Sequence, residues 1–252
     1  MALDWAKRMR LMIIAGILVV LLLIIGATVF AFVYKVPSCT DRTQNQREEG
    51  VDCGGPCTYL CTAQVKKPNL ELVRTFTLVN GRTDVVAKIQ NLNKGAEAKA
   101  APYVLELYAA DATLLGRLAG FVDLPAGRTV PLFVRSAAGG SVVARAFVNF
   151  DPEKIAWKAA ESAALPLRVS ASALVEGNEP KITATLTNES YDTVFDVRAV
   201  VVVYDGETAI AASETLVPSI RAQSGVPITF TWNEPFSRPA TRFEILPTIP
   251  LP

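Results

Sequence analysis

Histidine is missing from all 252 residues. Its absence excludes Ser-His-Asp and Cys-His catalysis, a histidine general base and histidine metal ligation. An excess of either charge is missing too: 25 Lys and Arg stand against 24 Asp and Glu, a net charge of +1. The sequence therefore carries no basic footprint for nucleic acid. Cysteine is scarce, with four residues in all, and no Cys-x-x-Cys pair occurs, which argues against a thioredoxin-like redox centre. Long apolar runs are absent except for one.

That run is Leu11–Val33, LMIIAGILVVLLLIIGATVFAFV, 23 residues without a charge. As a helix rising ~1.5 Å per residue it spans roughly 35 Å, enough for a ~30 Å hydrocarbon core. Sixteen of its residues are Leu, Ile, Val or Phe, worth on the order of 5–10 kcal/mol of insertion free energy. A soluble core helix would need a polar face, and there is none. A cleaved signal peptide usually has a shorter apolar stretch ending at small residues. Here the end is bulky (Val29, Phe30, Phe32, Val33, Tyr34), which favours an uncleaved signal anchor. Lys7, Arg8 and Arg10 cluster before the run, whereas Lys35, Arg42 and Arg47 are spread out after it. The tight cluster on residues 1–10 favours a cytoplasmic N-terminus, with Trp5 as an interface anchor.

All four cysteines lie in residues 36–64, as Cys39-x13-Cys53-x3-Cys57-x3-Cys61. An even number clustered beside a membrane segment reads as a disulfide-stapled knot in an oxidising compartment, with three pairings open. The rival is a zinc site of four thiolates on a reducing side, although three bunched cysteines and one distant one fit the usual paired spacing poorly. Gly54-Gly55-Pro56 supplies a sharp turn. Asp41, Asn45, Glu48, Glu49 and Asp52 offer oxygen ligands for calcium, though not at EF-hand spacing. The competing reading is a solvated acidic loop with Asx turns.

On Cys39, Asp41, Asn45, Glu48, Gly50, Val51, Asp52, Cys53, Gly54, Gly55 and Cys57 the segment resembles a short cysteine motif. That motif recurs beside the membrane anchor, or between domains, of prokaryotic surface proteins. Arg42 stands where glycine is common in it, and one extra residue precedes Cys61. The resemblance implies a location and no chemistry.

From Leu70 onward short alternating runs read as strands: 70–79, 84–90, 104–109, 129–134 and 142–150, then 167–175, 181–187, 197–205, 209–217, 226–232 and 242–246. Asn91 maps to Asn188 at an offset of 97. Tyr108 maps to Tyr204, Pro131 to Pro227 and Phe147 to Phe243, each at 96. These landmarks imply two copies of one unit of six or seven strands. The fold expected is all-β: two tandem antiparallel immunoglobulin-like or fibronectin-like β-sandwiches, 68–151 and 166–247, behind one N-terminal transmembrane helix. Residues 188–207, NESYDTVFDVRAVVVVYDGE, resemble the small FxLYD and CARDB-like domains of prokaryotic envelope proteins, which implies this fold far more than a function.

Between the sandwiches, Asp151-Pro152-Glu153 looks like a helix start, so 152–165 is expected to be a linker with a short helix and with Trp157 packed on a neighbouring domain. Residues 248–252 are expected to be an extended tail. Tyr108, Tyr204, Phe133, Phe230 and Trp232 offer a binding face, but aromatics at strand period are more often core, which is the reading expected here, and Asn91 and Asn188 read as turn caps. Asn188-Glu189-Ser190 also fits a glycosylation sequon. Asp123, Asp192, Asp196, Asp205 and Glu207 lie in or near turns with no nucleophile motif, so no enzyme and no cofactor is expected. The function expected is a membrane-anchored extracytoplasmic binding, structural or adhesion protein, whose partners are the bilayer through 11–33 and other envelope proteins or surface glycans. The alternatives are an accessory membrane subunit of a secretion, pilus or cell-wall machine, and a carbohydrate- or calcium-binding receptor.

Overall fold

The computed structural model describes residues 5–33, 38–45, 47–138, 142–160 and 164–252. Helix α1, Trp5–Val33, begins six residues before the expected span and takes in the basic cluster. Its apolar side chains from Leu11 to Ile25 are exposed, with Leu22 and Leu23 about two-thirds exposed. The Thr28 hydroxyl donates back to the Ile24 and Ile25 carbonyls, so the most polar side chain in its apolar stretch is satisfied internally. Among the described residues α1 is the one helix long and apolar enough to cross a membrane, a test that a signal sequence near the N-terminus would also pass.

The rest is antiparallel β structure. The first sandwich uses β1 (Asn69–Thr77), β2 (Thr83–Gln90), β3 (Ala96–Tyr108), β4 (Leu114–Leu124), β5 (Thr129–Ala138), β6 (Arg145–Phe150) and β7 (Trp157–Ala159). The second uses β8 (Leu167–Val175), β9 (Lys181–Asn188), β10 (Val194–Asp205), β11 (Thr208–Ile220), β12 (Gly225–Thr231) and β13 (Arg242–Thr248). The first pairs as β1-β2-β5 and β4-β3-β6, with β7 also on β3; the second pairs as β8-β9-β12 and β11-β10-β13. Strand order is thus the same in both. Alternation sets the inner faces. Val85, Ala87 and Ile89 of β2 meet Leu105, Leu107 and Trp157 in the first core. Ile182, Ala184 and Leu186 of β9 meet Val201, Val203 and Phe230 in the second.

A third apolar cluster joins the two sandwiches. Val86 of β2, with Leu72, Phe76 and Phe133, packs on Val200, Val202, Tyr204, Ala209 and Ala212 of β10 and β11. The four sheets therefore stack in one pile, β4-β3-β6, β1-β2-β5, β11-β10-β13, β8-β9-β12, and β10 is buried on both faces from Ala199 to Tyr204. A strand covered on both sides reads as an unbroken apolar run, as Ala199–Val203 does. At the margin Lys88 bonds Glu244 at 2.8 Å and lies 3.8 Å from Glu71. Burial opposes the Lys88 charge, but the Glu244 hydrogen bond and the surrounding carboxylates hold its pKa above that of an ordinary lysine. Its contribution is therefore complete at neutral pH and fades only as alkaline pH passes that raised value.

Asn91 and Asn188 tie the sheets of each sandwich together. Asn91 Nδ2 donates to the carbonyls of Ala96, Leu124 and Pro125, and its Oδ1 accepts from Asn93 N. Asn188 Nδ2 donates to Asp192, Ile220 and Arg221, and its Oδ1 accepts from Ser190 N and Oγ. Both are fully buried, so the sequon at Asn188 is closed to modification in the folded protein.

Three expectations are corrected. The helix expected after Pro152 is a single 3-10 turn, Pro152–Lys154, capped by Asp151. Ile155 and Trp157 then point alternately into the first core, and β7 pairs with Ala96–Ala98. Burial of two large side chains at strand period outweighs the helix propensity of the alanines. Most of the expected linker thus belongs to the first sandwich, and residues 161–163 lie outside the described residues. Strand β4 and the first half of β3 were not expected; alanine and glycine blur the alternation in AEAKAAPY and LLGRLAG. Phe147 pairs with Glu106 on an outer face, whereas Phe243 lies in the second core, so these two are not equivalent.

Replacing Asn188 by Ala removes three donated hydrogen bonds, to Asp192, Ile220 and Arg221, and those accepted from Ser190; at ~1 kcal/mol for each lost bond we expect denaturant stability to fall by about 2–4 kcal/mol. Asn91→Ala should lose a similar amount, and urea titration of both variants checks it.

Candidate functional site

The cysteine segment folds into a knot. Cys39 bridges Cys57 and Cys53 bridges Cys61, so the two closed loops interleave. Among the three pairings left open by the sequence, this one links first to third and second to fourth. The sulfurs of Cys39 and Cys57 lie near Glu48, but being bonded to each other they offer no thiolate pair. Disulfides thus replace the zinc alternative. Glycine is required where the loops cross: a Cβ on Gly50 would stand 2.9 Å from the sulfurs of both Cys53 and Cys61, and one on Gly55 would collide with the Arg47 carbonyl.

The expected calcium ligands come together, and their oxygens are turned inward. Asp52, at φ 57°, accepts from Asp41 N at 2.9 Å and from Arg42 N at 3.0 Å. Asp41 accepts from Thr43 N and from Asn45 Nδ2. Buried Glu48 accepts from the backbone N–H of Asn45 and of Asp52; its other oxygen lies 3.1 Å from Cys57 Sγ, which has no proton to donate. Glu49 accepts from Gln64 Nε2, whose Oε1 in turn holds Cys61 N. These bonds act as a set of hooks for a tight loop, and the Oδ1 of Asn45 is buried among them without a hydrogen-bond partner.

The knot is clamped to the first sandwich. Leu60 N donates to the Trp157 carbonyl at 2.9 Å, Tyr59 bridges Lys158, and Lys158 Nζ lies 5.7 Å from the centre of the Tyr59 ring. Leu60 and Val65 pack on the first core. Asn93 exchanges hydrogen bonds with Lys66, receiving from its N–H and donating to its carbonyl. A shallow cleft of about 460 Å³ remains between knot and sandwich, with Lys66, Lys67, Asp151, Glu153 and Trp157 in its wall. Asp151 there is held by Lys154 at 3.1 Å.

The remaining candidates do not converge. Asp123 of β4 accepts from Ala100 N and from Leu251 N, fastening the tail to the first sandwich. Asp196 sits at φ 52° within β10. Asp205 and Glu207 flank the β10–β11 turn and pair with Arg238 and Arg242, and Asp192 lies in the loop before β10. Phe230 and Trp232 are core residues as expected. Tyr204 and Phe133 instead line the seam between sandwiches, and Tyr108 lies on the outer face of the first, edge-on to Phe147. The seam was missed in the sequence although the unbroken run Ala199–Val203 signals it.

No protein-family model and no curated protein matches the sequence. Among solved structures, a red sea bream transglutaminase matches 73% of this chain and 31% of its own, at 14% identity and a TM-score of 0.25. The CBM22-1–CBM22-2 tandem domain of Paenibacillus barcinonensis Xyn10C matches over 74% of this chain and 91% of its own, at 8% identity and a TM-score of 0.16. Neither likeness carries an argument at those scores.

Asp52→Ala removes a charged acceptor from two backbone donors, each such bond being worth ~1.5–3 kcal/mol. We expect faster proteolysis within residues 39–53 while the sandwiches keep their melting temperature, read by limited digestion and mass spectrometry.

Proposed function

We propose that the chain is a single-pass membrane protein with a cytoplasmic N-terminus, displaying two β-sandwiches outside the cytoplasm for a non-enzymatic interaction or structural role. The observation that carries this reading is the doubly bridged knot whose first cysteine, Cys39, lies six residues after the last residue of an apolar helix, Val33. Such bridges persist on the oxidising side of a membrane, and Lys7, Arg8 and Arg10 favour the opposite side. α1 serves as an uncleaved signal anchor and the knot as the collar between anchor and display domains. The two sandwiches are copies of one FxLYD or CARDB-like unit, a reading supported by their shared strand order and matching asparagine networks. The scattered carboxylates and the lack of histidine support a role in binding or scaffolding rather than catalysis. The partners proposed are other envelope proteins.

Fractionation and thiol labelling of cells expressing the full chain test this. We expect the intact protein in the membrane pellet, resistant to alkaline carbonate, with its C-terminus open to external protease and its thiols unreactive to maleimide until reduced. A cleaved N-terminus, a soluble product or thiols that label without reductant would overturn it.

A further inference from the structure

Strand β4 forms one rim of the β4-β3-β6 sheet, and its outward backbone groups have no backbone partner among the described residues. Such a rim is a template for another strand unless it is blunted. The other rim strands are blunted. Pro131 lies in β5, Pro218 in β11, Pro227 in β12 and Pro247 in β13; β1 and β8 bulge against their neighbours, and β6 is only six residues long. β4 bulges against β3 as well, with Leu115 as its extra residue, but its pairing is regular from Gly116 to Val122.

β4 runs for eleven residues without proline or lysine. Leu114, Leu115 and Leu118 are 37–40% exposed and Phe121 is 71% exposed. The positive charge of Arg117 is neutralised by Glu106 at 2.7 Å. That bond, with help from Tyr108 and Asn149, holds the Glu106 carboxyl below the usual carboxylate range.

The sequence of β4 is also close to a palindrome. Residues 114–122 read LLG-R-L-A-GFV, two apolar residues and a glycine on either side of Leu118. Laid antiparallel on itself about Leu118, the strand sets Leu118 against Leu118 and each glycine against the other glycine. Arg117 then faces Ala119, and Phe121 lies against the bulged end of the strand at Leu115. No like charges face each other, and the apolar cross-strand pairs are of the stabilising kind.

We propose that two copies of this chain pair edge to edge through β4, joining their β4-β3-β6 sheets into one continuous sheet about a two-fold axis at Leu118. The interface is isologous, so it closes at two copies. The inference does not depend on membrane topology.

Single cysteines in the full-length chain, in native membranes, test it. Directly opposed side chains in an antiparallel pair have Cβ atoms ~4.5–5.5 Å apart, so Leu118→Cys should give a dimer joined by a disulfide under mild oxidation. Phe121→Cys alone should give none, because each copy sets it against Leu115. Leu118→Lys, which opposes two cations, should reduce a detergent-solubilised dimer to the 27.1 kDa chain with an unchanged far-UV spectrum. Failure of Leu118→Cys to cross-link, equal cross-linking by Phe121→Cys, or a Leu118→Lys protein that stays dimeric would each overturn the proposal.

Discussion

The structure depends on the seam in which Val86, Leu72, Phe76 and Phe133 meet Val200, Val202 and Tyr204. Two sandwiches with separate cores would otherwise be joined by residues 160–166 alone and free to swing. A buried valine contributes ~1.5–3 kcal/mol, so three of them with an aromatic body hold the modules against that freedom. Polar ties at the margin fix the register: Lys88 with Glu244, Val79 N with Glu234, and Leu251 N with Asp123. The same seam explains why β10 carries a run of valines and why Lys88 is held charged in a half-buried position.

Rigidity continues toward the N-terminal side of the first sandwich. Trp157 lies in the first core, its carbonyl receives Leu60 of the knot, and the knot is closed by two interleaved bridges. From Cys39 to Leu251 each module is fastened to the next by apolar contacts and by at least one hydrogen bond from a backbone N–H. A body built this way presents its surfaces at a fixed geometry and gives the exposed β4 rim a defined orientation.

Much of this was legible in the sequence. The apolar helix, the clustered cysteines and the all-β alternation are local patterns, and each survives in the structure. Asn91 and Asn188 were legible as turn caps because an asparagine after a strand has few other uses. The seam was signalled from one side alone, by the unbroken run Ala199–Val203 of β10; alternation shows which face of a strand is inside but not what covers the other. The helix expected after Pro152 failed because Ile155 and Trp157 have strand period over so few residues that alanine propensity masks it. The acidic residues of the knot were legible as a cluster; that their oxygens serve backbone N–H groups depends on the fold of the loop, including the positive φ at Asp52.

The central claim is that the two sandwiches form one cooperative body. Trp157 reports on the first core and Trp232 on the second. The measurement is urea unfolding of the full chain in detergent, with Trp5→Phe throughout, followed by fluorescence in one protein retaining only Trp157 and another retaining only Trp232. After correction for the stability change of each substitution, the account predicts coincident transitions with equal midpoints and slopes. Two separated transitions, each confined to one tryptophan, would contradict it.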